Sequence, residues 1–204
     1  MTANKSFDSL TETLKLAVAT LRDARVPFLL GGSLAAWARG GPRPDNDLDL
    51  MVRPEDAEAA LRALEAAGMG SERPPEEWLY KAWNGDVLID LIFEPSGVKI
   101  DDHVFDRADT ISVLSVSTPV MALEDVLATK LNALDEHSLD YTSLLGIARA
   151  LREQINWQEL QARTTGSPYA AAFFTLVREL GIAPAQPEQQ TGALPRVRVV
   201  SGEH

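Results

Sequence analysis

The 204-residue chain contains no cysteine and only three histidines, His103, His137 and His204. That absence excludes disulfides, thiolate metal sites and cysteine nucleophiles, and it leaves too few imidazoles for a histidine-rich zinc centre. Metal chemistry would have to rest on carboxylates. Long hydrophobic runs are also missing. No stretch approaches the roughly 20 apolar residues that span a bilayer, and the N-terminus lacks a basic-then-apolar leader pattern, so a cytoplasmic protein without membrane partners is expected. Cations are scarce: 19 Lys and Arg stand against 30 Asp and Glu, a formal charge of −11. Strong non-specific attraction to polyanions is therefore excluded, and a nucleic-acid partner would need a local basic patch. With 45% hydrophobic residues the chain can still bury a substantial core.

Against these absences stands one dense constellation. Gly31-Gly32-Ser33 follows the apolar stretch Val26 to Leu30, and Asp47-Leu48-Asp49-Leu50 comes a short polar connection later. A glycine pair has no Cβ to block close approach and can adopt positive φ, so its backbone N–H groups and the Ser33 hydroxyl can cradle phosphates. Strand side chains alternate faces, so Asp47 and Asp49 project together while Leu48 and Leu50 enter the core. Asp45 and Asp47 share the same spacing, but Asp45 lies beside Pro44 and Asn46 in what reads as loop. A third acid, Asp90, interrupts the apolar run Val87-Leu88-Ile89-Asp90-Leu91-Ile92 and must find a charge partner. Three converging carboxylates repel one another unless cations lie between them. Two magnesium ions about 3.5–4 Å apart would activate an attacking oxygen and neutralise a leaving pyrophosphate. The pattern reads as a site for nucleotidyl transfer from an NTP. Singly, each piece is no more than a turn or a solvated loop.

The rest of the chain organises around this site. A packing helix is expected over Phe7 to Ala24, with Ser9 and Glu12 as a capping box. Leu34 to Arg39 reads as a short helix, and a helix opens at Pro54 and stops at Gly68. Strands are expected over Trp78 to Trp83 and Val87 to Phe93, joined at Asn84-Gly85, with another at Ile111 to Val116. From Thr118 the pattern is helical, with breaks near His137 and Asn156 and a last helix from Ser167-Pro168 to Leu180. The expected architecture is α/β: a small mixed sheet with packed helices (residues 1–117), a C-terminal helical subdomain (118–182) and a flexible tail (183–204). Lys130 falls inside the apolar stripe of Leu123, Leu127, Leu131 and Leu134. Such a lysine either snorkels or faces a cleft, and the nearby acids favour the cleft. Asp140 precedes a helix, so an N-cap is its default role. Among Trp37, Trp78, Trp83 and Trp157, sequence selects no base-stacking platform.

These residues resemble the polymerase-β-like nucleotidyltransferase superfamily over Val26 to Phe93. The segment Leu123-Glu124-Asp125-Val126-Leu127-Ala128-Thr129-Lys130-Leu131, followed by Asp140, is similar to AbiEii-type toxins and their mycobacterial tRNA-nucleotidyltransferase relatives. The resemblance implies that Asp47, Asp49 and Asp90 bind two metals, that Gly31, Gly32, Ser33, Arg43 and Lys130 bind nucleotide, and that Asp140 assists catalysis. It further implies a tRNA 3′ end as acceptor and a cognate antitoxin as partner. Asp45 stands where that family usually has threonine, and His137, Ser138 and Leu139 stand where it often has basic residues. Arg39, Arg43, Arg53 and Lys81 are the cations close enough in sequence to the site to meet an RNA. Two alternatives remain open: an aminoglycoside nucleotidyltransferase, which would suit an acidic cleft, and a nucleotide-binding regulator whose chemistry has lapsed.

Overall fold

The computed structural model describes residues 2–44 and 47–185. The first helix, α1 (Thr2–Asp23), buries Leu10, Leu14, Ala17, Val18 and Leu21, the stripe that a 3.6-residue period dictates. It begins well before Phe7, which places Ser9 and Glu12 inside the helix and removes the expected capping box; Glu12 pairs instead with Lys15 at 2.9 Å. Strand β1 (Leu29–Leu30) is shorter than the apolar run around it. The Val26 N–H is donated back to Leu21 of α1, and Arg25 turns the chain at a φ of 57°, so only the end of the run is free to pair.

Helix α2 (Gly32–Ala38) leaves β1 directly, and β2 (Asp47–Met51) follows. Pro54–Asp56 forms one 3₁₀ turn that feeds α3 (Ala57–Ala66), closed at Gly68 with a φ of 89°. Three strands come next: β3 (Gly70–Glu72), which the sequence did not signal, β4 (Leu79–Asn84) and β5 (Val87–Ile92). Asn84 pairs with Val87, so the hairpin loop is Gly85-Asp86 rather than Asn84-Gly85, and Gly85 supplies the positive φ of 59°. After the short α4 (Asp102–Asp106), the single strand expected over Ile111 to Val116 proves to be a hairpin, β6 (Asp109–Val113) and β7 (Val116–Val120). Leu114 and Ser115, both at positive φ, make its turn. Because Thr118 and Val120 pair within the sheet, the helical half begins later than expected, with α5 (Leu123–Asn132), α6 (Tyr141–Leu151), α7 (Trp157–Arg163) and α8 (Pro168–Glu179). Asp140, Asn156 and Ser167 cap the last three, each accepting a backbone N–H from the first turn.

The strands form one mixed seven-stranded sheet in the order β3-β4-β5-β2-β1-β7-β6. Its α1- and α3-covered face carries Leu48, Leu50, Ile89 and Leu91, all fully buried. A second apolar cluster joins α5 through α8, with Phe173 at its centre and Ala36 of α2 as a member. Asp125, 0% exposed, lies in α5 and is clamped by Arg107, at 2.9 and 3.1 Å, and by Arg163. That charge cluster ties α5 to the end of α4 and to α7. Ile182 and Ala183 remain packed on the second cluster, so the chain is still held at the expected start of the tail; residues 186–204 lie outside the described residues.

Candidate active site

The glycine turn and the acidic strand are pressed together. Gly31 donates its N–H to the Asp49 carbonyl at 2.8 Å, and Gly32 sits at a φ of 58°. A Cβ on Gly32 would lie 1.6 Å from Asp49 Oδ2, so this position admits no side chain. The first thing this glycine makes room for is the carboxylate itself. Ser33 then donates its backbone N–H to that carboxylate, while its hydroxyl oxygen is buried without a hydrogen-bond partner.

Strand alternation places the acids as expected. Leu48 and Leu50 are fully buried, whereas Asp47 and Asp49 are half-buried on the opposite face. Asp45 lies outside the described residues. In the parallel register Asp47 stands opposite Leu88 and Asp49 opposite Asp90, which brings all three acids onto one face of two adjacent strands. Burial, then the neighbouring charges of Asp47 and Asp90, push the Asp49 carboxyl up to about 6; Lys130 and the Ser33 N–H oppose the rise. Burial raises Asp90 as well, against the pull of Lys81, whose Nζ lies 3.7 Å from Asp90 Oδ1. Asp47 Oδ1 and Asp90 Oδ1 are buried without hydrogen-bond partners. Among the described residues, however, no three carboxylates or imidazoles form a ready-made metal cage. Asp90 is drawn toward Lys81 on its far side.

Sequence reasoning found Asp90 but missed Lys81 as its partner. The signal was available, since a two-residue loop after Asn84 sets Lys81 opposite Asp90 in the hairpin.

The helical half supplies the other wall. Lys130, near the end of α5, is half-buried, and its charge acts on Asp49, so it faces the cleft rather than open water. With Asp140, Ser138 and Ser143 it lines a cavity of about 260 Å³. A neighbouring cavity of about 320 Å³ is lined by Ser33, Arg43, Asp140, Thr142 and Ser143. Asp140 and Ser143 belong to both, so one cleft runs along the start of α6 from Lys130 to the glycine turn. Asp140 holds its capping bond to the Thr142 N–H at 2.9 Å while exposed to this cleft. Arg43 stands over the Phe7 ring, 5.1 Å from its centroid.

Residues 3–178 match the protein family described as "Uncharacterised nucleotidyltransferase". The chain belongs to this nucleotidyltransferase family. No curated protein matches it by sequence. Among solved structures, the solution structure of the antibiotic-resistance factor ANT(2'')-Ia aligns at a TM-score of 0.58 and 15% identity, covering 84% of this chain and 94% of that one. The crystal structure of ANT(2'')-Ia with adenylyl-2''-tobramycin aligns equally well, at 0.58 and 15%, over 81% of this chain and 97% of its own. At this identity the likeness is one of fold.

The four cations near the site of this nucleotidyltransferase are engaged within the protein, Arg43 over the Phe7 ring and the others with acids. Arg39 binds Asp109 at 2.8 Å and the Met121 carbonyl at 2.9 Å, Arg53 binds Asp102 at 2.7 Å, and Lys81 faces Asp90. No helix among the described residues is long and apolar enough to cross a membrane.

Proposed function

We propose that this nucleotidyltransferase moves an NMP group from an NTP to a hydroxyl of a small aminated acceptor, in a cleft between a catalytic unit that ends with β7 and a helical unit of α5 to α8. The observation that carries the reading is Asp49, a carboxylate raised to about 6 between Asp47 and Asp90, with Lys130 on one side and the Gly32-Ser33 turn on the other. Asp47, Asp49 and Asp90 would hold magnesium. The Asp47 Oδ1 atom, buried without a hydrogen-bond partner, and carboxylates whose mutual charge resists ionisation suit a hard divalent cation better than they suit an empty protein. When bound, that cation supplies Lewis-acid activation of the acceptor oxygen and charge neutralisation of pyrophosphate. The chain's own residues do the rest. Ser33, through its free hydroxyl, and Lys130, through its ammonium, orient the triphosphate. Asp140, exposed at the cleft shared by Ser33 and Lys130, accepts the proton of the attacking hydroxyl as the new O–P bond forms and the bond to pyrophosphate breaks.

The acidity of the chain favours a cationic acceptor, since Arg39, Arg53 and Lys81 are already paired with carboxylates and Lys130 is committed to the triphosphate. A second reading is a toxin that labels tRNA 3′ ends in the cytoplasm and is restrained by a cognate antitoxin. It is favoured by the sharing of one cavity by Lys130 and Asp140, the two residues that the toxin-family resemblance singles out. A lapsed regulator would have no need to retain three acids under mutual repulsion. Incubating the protein with magnesium and α-labelled NTPs, offering tobramycin or total tRNA, separates the readings. Label on the aminoglycoside supports the first, label on tRNA the second, and label on neither refutes transfer to both.

A further inference from the structure

The row of side chains that holds two of the three acids continues past them. Residues paired across adjacent strands share a face, so the register extends the row as Asp49, Asp90, Lys81 and Glu72 over β2, β5, β4 and β3. Lys81 therefore stands between two carboxylates, one on each neighbouring strand. It leans on the inner one: its Nζ lies 3.7 Å from Asp90 Oδ1, while Glu72, exposed on the outermost strand, holds no ion pair among the described residues. At that distance the contact is a charge attraction rather than a hydrogen bond, and Asp90 Oδ1 is buried without a donor. Lys130 acts on Asp49 from the other wall, so two ammoniums already answer three carboxylates. A divalent cation entering beside Asp90 meets Lys81 as a like charge a few ångströms away, and partial burial strengthens that repulsion. A triphosphate entering with the cation brings the negative charge that offsets it.

We propose that Lys81 is the resident counter-cation of Asp90 and must release that carboxylate, swinging to Glu72, before Asp90 can hold magnesium, so that the protein takes up the ion with the nucleotide rather than ahead of it. This rests on the reading of Asp47, Asp49 and Asp90 as magnesium ligands, and it makes Lys81 a positioning residue that never touches the reacting atoms. The swing needs no backbone movement. Asp90 and Glu72 are both direct cross-strand neighbours of Lys81, and the long flexible stem of a lysine reaches either one. The row thus has two arrangements: Lys81 on Asp90 with the acids spread apart, which is the one in the structure, and Lys81 on Glu72 with Asp90 free to join Asp47 and Asp49.

The test is magnesium binding itself, by calorimetric titration of wild type, Lys81→Met, which keeps the stem without the charge, and Lys81→Arg, which keeps the charge. In nucleotide-free protein Lys81→Met is expected to bind magnesium about tenfold more tightly than wild type, the size of effect that follows from altering a group that holds a metal-binding carboxylate, with Lys81→Arg near wild type. A second titration uses the magnesium complexes of α,β-methylene ATP, GTP, CTP and UTP, which bind without transfer. Their affinities are expected to be the same for wild type and Lys81→Met. Glu72→Gln is expected to weaken magnesium binding in the wild-type background and to leave it unchanged in Lys81→Met, because its effect passes through the lysine. Unchanged or weaker magnesium binding in Lys81→Met overturns the proposal while leaving the acids as ligands, since a lysine that merely braced Asp90 would give that result. An equal gain for the nucleotide complexes, or a Glu72→Gln effect that persists in Lys81→Met, overturns it too. The expected tightening without transfer to tobramycin or tRNA supports the proposal and refutes the transfer reading. No magnesium binding by any of these proteins overturns the proposal and the magnesium reading together.

Discussion

Replacing Asp49 by Asn tests whether the three acids are held apart from their preferred state. In the folded chain the Asp49 carboxyl rises from 3.8 to about 6, burial contributing most and Asp47 next. Each unit corresponds to about 1.36 kcal/mol, so ionised Asp49 costs the fold roughly 3 kcal/mol at neutral pH. The folded state holds this proton longer than the unfolded chain does. Between about pH 4 and pH 6 it therefore binds more protons, and stability falls as pH rises through that window, then levels off above it. Asn keeps an acceptor for the Ser33 N–H but carries no charge. Without divalent cation, Asp49→Asn is expected to match wild type near pH 4 and to exceed it by up to about 3 kcal/mol at neutral pH; lost attraction to Lys130 makes this an upper figure. Urea melts from pH 4 to pH 8, in EDTA and in saturating magnesium, read both effects. Magnesium should return stability to wild type by mass action, about 2.7 kcal/mol at a hundredfold excess over Kd, and return clearly less to the variant. Equal stabilities at neutral pH in EDTA would refute the electrostatic account, and equal gains from magnesium would refute Asp49 as a ligand.

Three further outcomes follow from the same geometry. Gly32→Ala puts a Cβ onto Asp49 Oδ2 at a φ of 58°, so a loss of at least about 2 kcal/mol in thermal or urea melts is expected together with loss of transfer. Lys130→Ala should weaken NTP binding by about 1.5–3 kcal/mol in calorimetric titration, as for a hydrogen bond to a charged group, with unfolding barely changed; unchanged affinity would return Lys130 to a packing role. Asp125→Ala strips two arginines of a fully buried partner and should cost about 3 kcal/mol of stability, the lower end for a broken buried pair because Arg107 and Arg163 still reach water. A far-ultraviolet melt unchanged in that variant would show that the cluster contributes nothing to the joint between α4, α5 and α7.

What could be read from the sequence was whatever depends on near neighbours. Alternation in Asp47-Leu48-Asp49-Leu50 is decided within a strand, and it placed both acids on the open face with both leucines buried. The stripe that trapped Lys130 is likewise a property of one helix, and so are the caps at Asp140 and Ser167. The β6–β7 hairpin escaped because its turn uses Leu114 and Ser115 at positive φ, where glycine, asparagine or aspartate would have been the signal. The capping box failed for a related reason: Ser9 and Glu12 have the right spacing wherever they fall in a helix, and only the true start of α1 decides whether they cap it.

The cations show most plainly what a linear reading withholds. Arg39, Arg53 and Lys81 lie close in sequence to the glycine turn and the acidic strand, and that proximity made them candidates for meeting an RNA backbone. Their partners are Asp109, Asp102 and Asp90, up to 70 residues away along the chain. A guanidinium already held by a carboxylate releases few counterions on meeting phosphate, because the carboxylate must first be displaced. Replacing Arg39 and Lys81 together is therefore expected to lower stability, through the loss of the Met121 carbonyl contact and the exposure of Asp90 to Asp49 and Asp47, more than it changes the salt dependence of any RNA labelling. Measuring labelling against salt for wild type and this double variant decides the point. A slope flattened by about two units would mean that both cations leave their carboxylates for phosphate, and the acceptor would then be a nucleic acid after all.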